Sequence, residues 1–157
     1  MTQPKAKLPR ARSYLRAARW GFDELVEKQH MGVPLIFHLV AVAAVARAVP
    51  EALIKTDRKL SDAHHKLIGE WAQRTRPATT PVIHFLKTMR DLALHEGELR
   101  SYATRANIDR NEVIIENSYD VARYDEHGKR QDLLVKLREA FDWLDCELAW
   151  IEKRLPD

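Results

Sequence analysis

The chain has 157 residues, 45% hydrophobic and 31% charged, a balance that excludes a disordered segment and is enough for one hydrophobic core. Five glycines argue against a turn-rich β-sandwich, and a single cysteine, Cys146, excludes an internal disulfide framework and suits a reducing cytosol. The formal net charge of +3 is unevenly placed: Lys5, Lys7, Arg10, Arg12, Arg16 and Arg19 precede the first acid, Asp23, so 20 of the 26 basic residues remain against 23 acidic ones.

Residues 1–12 carry two prolines and mostly basic side chains and are expected to form a flexible basic arm, with residues 13–157 as a single domain. Such an arm either holds nucleic-acid phosphates or an acidic partner, or serves only as a solubilising tail. No apolar stretch follows the first basic residues before Arg16 and Arg19, so an export signal is not expected.

Ser13 is read as the N-cap of a first helix that runs to about Met31, with Leu15, Ala18, Phe22, Leu25 and Val26 on its apolar face. Gly32 marks a break, and Pro34 suits the first turn of a second helix. That helix is apolar almost all round and rich in alanine, which places it at the centre of the fold. Its most apolar run, Val33 to Val49, contains His38 and Arg47 and falls short of the roughly 20 residues that a bilayer span needs. Neither a membrane nor a non-cytoplasmic location is expected. His38 on this helix is read as a hydrogen-bonded core histidine.

Pro50 is expected to end or redirect the second helix, and residues 51–60 to connect it to the next with a few helical turns. Ser61 and Asp62 cap a third helix to about Arg74, with Leu67, Ile68 and Trp71 facing inward. His64 and His65, adjacent on it, point about 100° apart and cannot easily chelate one metal. A solvated pair is expected. Thr80-Pro81 starts a fourth helix that reaches Glu96 or Arg100.

Residues 105–130 admit a small β-hairpin or extended insert, with alternation from Val113 to Val121 and a turn at Glu126-His127-Gly128. The last helix, from Gln131 to Leu155, gathers Leu133, Leu137, Phe141, Leu144, Leu148, Ile151 and Leu155 within a sector of about 80°. Trp143, Cys146 and Trp150 form a second ridge, which is either a groove or subunit interface or is buried within the monomer. Cys146 is read as a buried structural thiol. The fold class expected is all-α, an antiparallel helical bundle of about five helices.

The sequence has no phosphate-cradling glycine loop, no His-Glu-x-x-His pattern and no Gly-x-Ser-x-Gly elbow, so neither a metal nor a cofactor is expected. What remains is the fourth helix. Its apolar stripe is read as Val82, Phe85, Leu86, Met89, Leu92 and Ala93, with His84, Asp91 and His95 in a row along one edge, spread over about 40°. Asp91 and His95 are one turn apart, so the carboxylate can hold the imidazole. Arg90 emerges at the other edge, about 140° from His95, too far apart on one bare helix to converge on a small group.

The run Arg90-Asp91-Leu92-Ala93-Leu94-His95 resembles the motif of the HEPN superfamily, helical-bundle domains with an arginine, usually a polar follower, and a histidine after four to six intervening residues; here there are four. The long first helix, the alanine-rich central helix and the motif-bearing later helix are similar to that architecture over most of residues 13–100. The resemblance implies a metal-independent endoribonuclease acting as a homodimer in which two motifs face one cleft. His95 would be the general acid/base, Arg90 the phosphate and transition-state stabiliser, and Asp91 the orienting carboxylate, with Lys87 and Arg100 as nucleic-acid contacts. RNA would be the partner, in a toxin–antitoxin or defence setting with an antitoxin or other protein as regulator. The alternative is a non-catalytic module of the same fold that binds RNA, a nucleotide or a protein. A subset of the superfamily has tyrosine two residues past the histidine; here that position is Gly97, so chemistry assigned to the tyrosine does not carry over. Arg58 is followed at similar range by His64 and His65, a second match that straddles a predicted helix start.

Overall fold

A computed structural model describes residues 6–28, 35–77, 80–91, 103–109, 112–118, 122–124 and 130–156. Five α-helices carry the fold: α1 (Pro9–Lys28), α2 (Leu35–Lys55), α3 (Asp62–Thr75), α4 (Pro81–Asp91) and α5 (Leu133–Glu152), with a short 3-10 turn, Asp57–Lys59, between α2 and α3. The expected all-α bundle is what forms. Between α4 and α5 the backbone makes two small antiparallel ladders. In one, β1 (Ala103–Asp109) pairs with β2 (Glu112–Ser118), Ala103 opposite Ser118 and Asp109 opposite Glu112. In the other, β3 (Ala122–Tyr124) pairs with β4 (Arg130–Asp132) on either side of the predicted turn.

The central position of α2 follows from its composition. It contacts all four other helices and the 3-10 turn, and Leu39, Val42, Ala43, Ala46, Val49, Ala52 and Leu53 are buried along it. Small residues let α1 come close. A Cβ added at Gly21 would stand 3.1 Å from Val42 Cγ2, tighter than ordinary contact. Helix α5 closes the bundle with Leu137, Ala140, Phe141, Leu144, Leu148 and Ile151 at three- and four-residue steps. Phe141 meets Phe22 of α1 edge-on, with ring centroids 5.4 Å apart and planes at 81°.

Helix α5 spans Leu133–Glu152 rather than Gln131 to Leu155, and two further boundaries differ from the sequence reading. Helix α1 begins at Pro9 rather than behind Ser13, and Leu8 and Ala11 are fully buried, so residues 8–12 belong to the packed helix and not to a flexible arm. The cause is a cap supplied from elsewhere in the chain. The buried Asp57 carboxylate accepts the Arg10 N–H at 3.2 Å and the Ala11 N–H at 2.9 Å. The second difference is Pro50. Helix α2 continues through it to Lys55. Proline removes one backbone hydrogen bond, but Val49, Pro50, Ala52 and Leu53 are all buried, and that packing holds the last turn in place.

Ser61 behaves as read: its hydroxyl accepts the His64 N–H at 3.3 Å and caps α3. At the other end Arg76 adopts a left-handed conformation (φ 43°, ψ 63°) and its N–H reaches the Ala72 carbonyl, closing the helix.

Candidate functional site

Helix α4 carries the arginine and aspartate of the motif. Thr80 precedes it, with its carbonyl accepting the His84 N–H at 2.9 Å, and Pro81 occupies the first turn, where a missing N–H costs nothing. Ile83, Leu86 and Met89 are buried, Val82 and Phe85 half-buried, and His84 and Lys87 exposed. The helix packs on α2 and α5.

Ile83 was absent from the stripe read in the sequence, and its burial moves the inward face. With Leu86 as origin, the buried arc runs from Met89 at about −60° to Ile83 at about +60°. By register alone, position 90 falls at about +40°. Position 91 falls at about 140°, on the side of exposed His84. The helical register sets positions 90 and 91 about 100° apart around α4. The side chains of Arg90 and Asp91, and the whole of His95 and Arg100, lie outside the described residues.

The basic N-terminal segment is tied to α5. The Arg12 guanidinium pairs with Glu152 at 2.5 Å and also with Asp145. The Glu152 hydrogen bond is the main reason that its pKa rises above the usual arginine value; burial opposes this and Asp145 assists. Arg19 reaches Asp142 at 3.4 Å and Asp145 at 3.6 Å, and Lys7 Nζ donates to the Leu155 carbonyl at 2.8 Å. These cations neutralise the acidic flank of α5. The charge asymmetry that pointed to nucleic acid therefore has an internal counterpart.

Arg12→Ala is expected to lower unfolding free energy by about 1–2 kcal/mol, because the pair is only partly exposed and forked. Arg12→Lys should recover less than half, since an ammonium cannot reproduce the fork. Guanidinium denaturation of the three proteins checks this; an alanine variant indistinguishable from wild type would show the pair to be idle.

Other residues singled out in the sequence also find their places. Cys146 is exposed on α5, not buried, because it stands off the buried stripe of that helix. His38 is exposed near the start of α2 rather than in the core. Trp143 and Trp150 are half-buried against the core, and the Trp150 ring lies under the guanidinium groups of Arg74 (4.4 Å) and Arg154 (4.1 Å). The two histidines of α3 are not merely solvated. His64 Nε2 donates to the Lys7 carbonyl at 2.8 Å while its Nδ1 contacts Ser61 Oγ at 2.7 Å, and His65 Nε2 lies 3.1 Å from Arg58 Nη2.

Surface clefts among the described residues include the following two. One, of about 370 Å³, is lined by Arg10, Tyr14, Glu51, Lys55 and Thr56 where α1 starts and α2 ends. The other, of about 200 Å³, lies between α1 and α5 beside Phe22, Phe141 and Arg138. Among the described residues no three histidine, cysteine or carboxylate side chains gather to hold a metal, and no helix is long and apolar enough to cross a membrane. Comparison with protein-family models, with curated proteins and with solved structures finds no match.

Proposed function

We propose that this chain is a HEPN-like, metal-independent endoribonuclease that works in the cytoplasm as a homodimer. The observation that carries the reading is the Arg90-Asp91-x3-His95 run on and beyond α4, in a bundle where α4 is anchored by Ile83, Leu86 and Met89. An imidazole has an ordinary pKa near neutrality, so His95 can take the proton of a ribose 2′-hydroxyl or give one to the leaving 5′-oxygen. The Arg90 guanidinium stabilises the extra negative charge on the phosphorus oxygens as the 2′-oxygen attacks. Asp91, one turn before His95, orients the imidazole. Lys87, exposed on α4, and Arg100 contact flanking phosphates. The products carry a 2′,3′-cyclic phosphate and a free 5′-hydroxyl.

A continuous helix would put positions 90 and 95 about 140° apart, which favours a dimer: a cleft shared by two motifs supplies the arginine of one chain beside the histidine of the other. Because Arg12 and Arg19 are engaged with α5, the phosphate contacts are assigned to α4 and the residues that follow it. The setting is that of a toxin or defence nuclease under the control of a protein partner.

Single-stranded RNA incubated with the protein in EDTA is expected to yield cyclic-phosphate ends. Arg90→Ala and His95→Ala should each abolish cleavage with unchanged melting and unchanged dimer mass. Equal cleavage by wild type and His95→Ala, or none by a folded wild type across varied RNA sequences, overturns the reading.

A further inference from the structure

Arg58 sits in the 3-10 turn and lies against α3. Its Nη2 is 3.1 Å from His65 Nε2. A Cβ added at Gly69, one turn beyond His65, would stand 3.5 Å from the same Nη2, so the glycine gives the guanidinium a flat floor. The neighbouring acid is committed elsewhere: Asp57 holds the α1 amides with both carboxylate oxygens. Asp62 and Glu70, the acids nearest on α3, are exposed, and among the described residues neither pairs with Arg58. Arg58 is half-buried, and its buried Nε has no hydrogen-bond partner among the described residues.

A guanidinium offers only donors and stays charged, so His65 Nε2 must be the acceptor and the ring proton must be on Nδ1. Among the described residues, Arg58 thus presents a half-buried cation whose one side-chain acceptor is the His65 ring. Leaving a sheltered N–H and a charge without an anion is unfavourable. Nε–H and Nη2–H lie on one edge of the guanidinium and point the same way, the fork that two oxygens of a phosphate or carboxylate accept. On that edge Nε has no partner among the described residues, and Nη2 contacts an exposed ring. Lys59 and Lys66, each adjacent in sequence to one member of the pair, are exposed and add positive charge.

We infer that Arg58 and His65 form an oxyanion site for a phosphate group, in which the phosphate replaces the imidazole on the Nε/Nη2 edge and the displaced ring donates a hydrogen bond of its own. This site is separate from the α4 motif and does not depend on its activity. The phosphate is either inorganic phosphate or a phosphodiester of single-stranded RNA.

The test is an NMR titration of the full chain at constant ionic strength, following the Arg58 Nε–H and the His65 ring. With inorganic phosphate, both signals should shift saturably in the millimolar range. Arg58→Gln should weaken the His65 response at least about tenfold, and Arg58→Lys, which keeps the charge and loses the fork, should fall between. A short single-stranded RNA that saturates the same signals at lower concentration identifies the backbone phosphodiester as the ligand; one no tighter than phosphate identifies the small anion. Unsaturated drift in wild type, or an undiminished His65 shift in folded Arg58→Gln, overturns the site.

Discussion

Trp71→Ala is expected to destabilise the protein by about 3–5 kcal/mol, a large share of the roughly 5–15 kcal/mol that holds a domain of this kind together. The Trp71 side chain is fully buried on α3 and meets the core beside Ile68. Truncation removes its apolar surface from the interior and leaves a void that rigid neighbouring helices fill only in part. A polar loss adds to the apolar one. The indole N–H donates to Glu147 Oε2 of α5 at 2.8 Å, and the same oxygen takes the Arg74 guanidinium at 2.5 Å. Glu147 is only 15% exposed, so the departing donor is not fully replaced by water. Trp71→Phe separates the two contributions: it keeps most of the buried ring, deletes the donor, and should cost about 1–2 kcal/mol. Guanidinium denaturation reads both as midpoint shifts at unchanged slope. An alanine variant within about 1 kcal/mol of wild type would mean that α3 is not fixed through this residue.

The helices were legible because their signals are local. The 3.6-residue spacing of apolar side chains in α1 and α5, the alanine-rich character of α2 and the Ser61 cap of α3 each sit within a few positions of the structure they specify. The errors came from contacts between distant residues. The start of α1 depends on an acid 46 positions away, which no window around Ser13 contains. Continuation of α2 through Pro50 depends on burial of its flanks, and propensity alone argues the other way. The inward face of α4 depends on which neighbours it meets. The sequence permits either Phe85 or Ile83 as the more buried flank; packing on α2 and α5 selects Ile83. The motif at Arg90 to His95 was visible as spacing, but spacing does not say whether the two groups act together. Arg58 and His65 show the converse. A pair set aside because it crossed a helix start is brought to hydrogen-bond distance, since the 3-10 turn folds Arg58 back along α3.

Asp57→Ala is expected to cost about 2–4 kcal/mol, although the residue lies in a three-residue turn between two helices. The first N–H groups of a helix have no intrahelical acceptor, and in α1 positions 9 to 11 are accounted for before the regular ladder starts at Arg12. Pro9 has no N–H, Arg10 and Ala11 donate to Asp57, and the Arg12 N–H reaches the Leu8 carbonyl at 3.0 Å. Leu8, at the position where a serine or aspartate would usually cap, is fully buried and has no side-chain acceptor. Asp57 does that work from outside the helix, and its negative charge also meets the positive end of the α1 dipole. Removing the carboxylate orphans two amides, one of them in a buried contact, while no local side chain can replace it. Asp57→Asn retains one acceptor but sets an amide N–H against the second donor, so about half the loss should remain. Loss of the cap should also free the segment around Lys7, which His64 and the Leu155 carbonyl hold in place. Hydrogen exchange reads this directly: the Arg10, Ala11 and Arg12 amides should exchange much faster in Asp57→Ala, while amides in the middle of α5 change only by the global loss of stability. Unchanged protection at Arg10 and Ala11 in the alanine variant would show that α1 is capped by something other than this carboxylate.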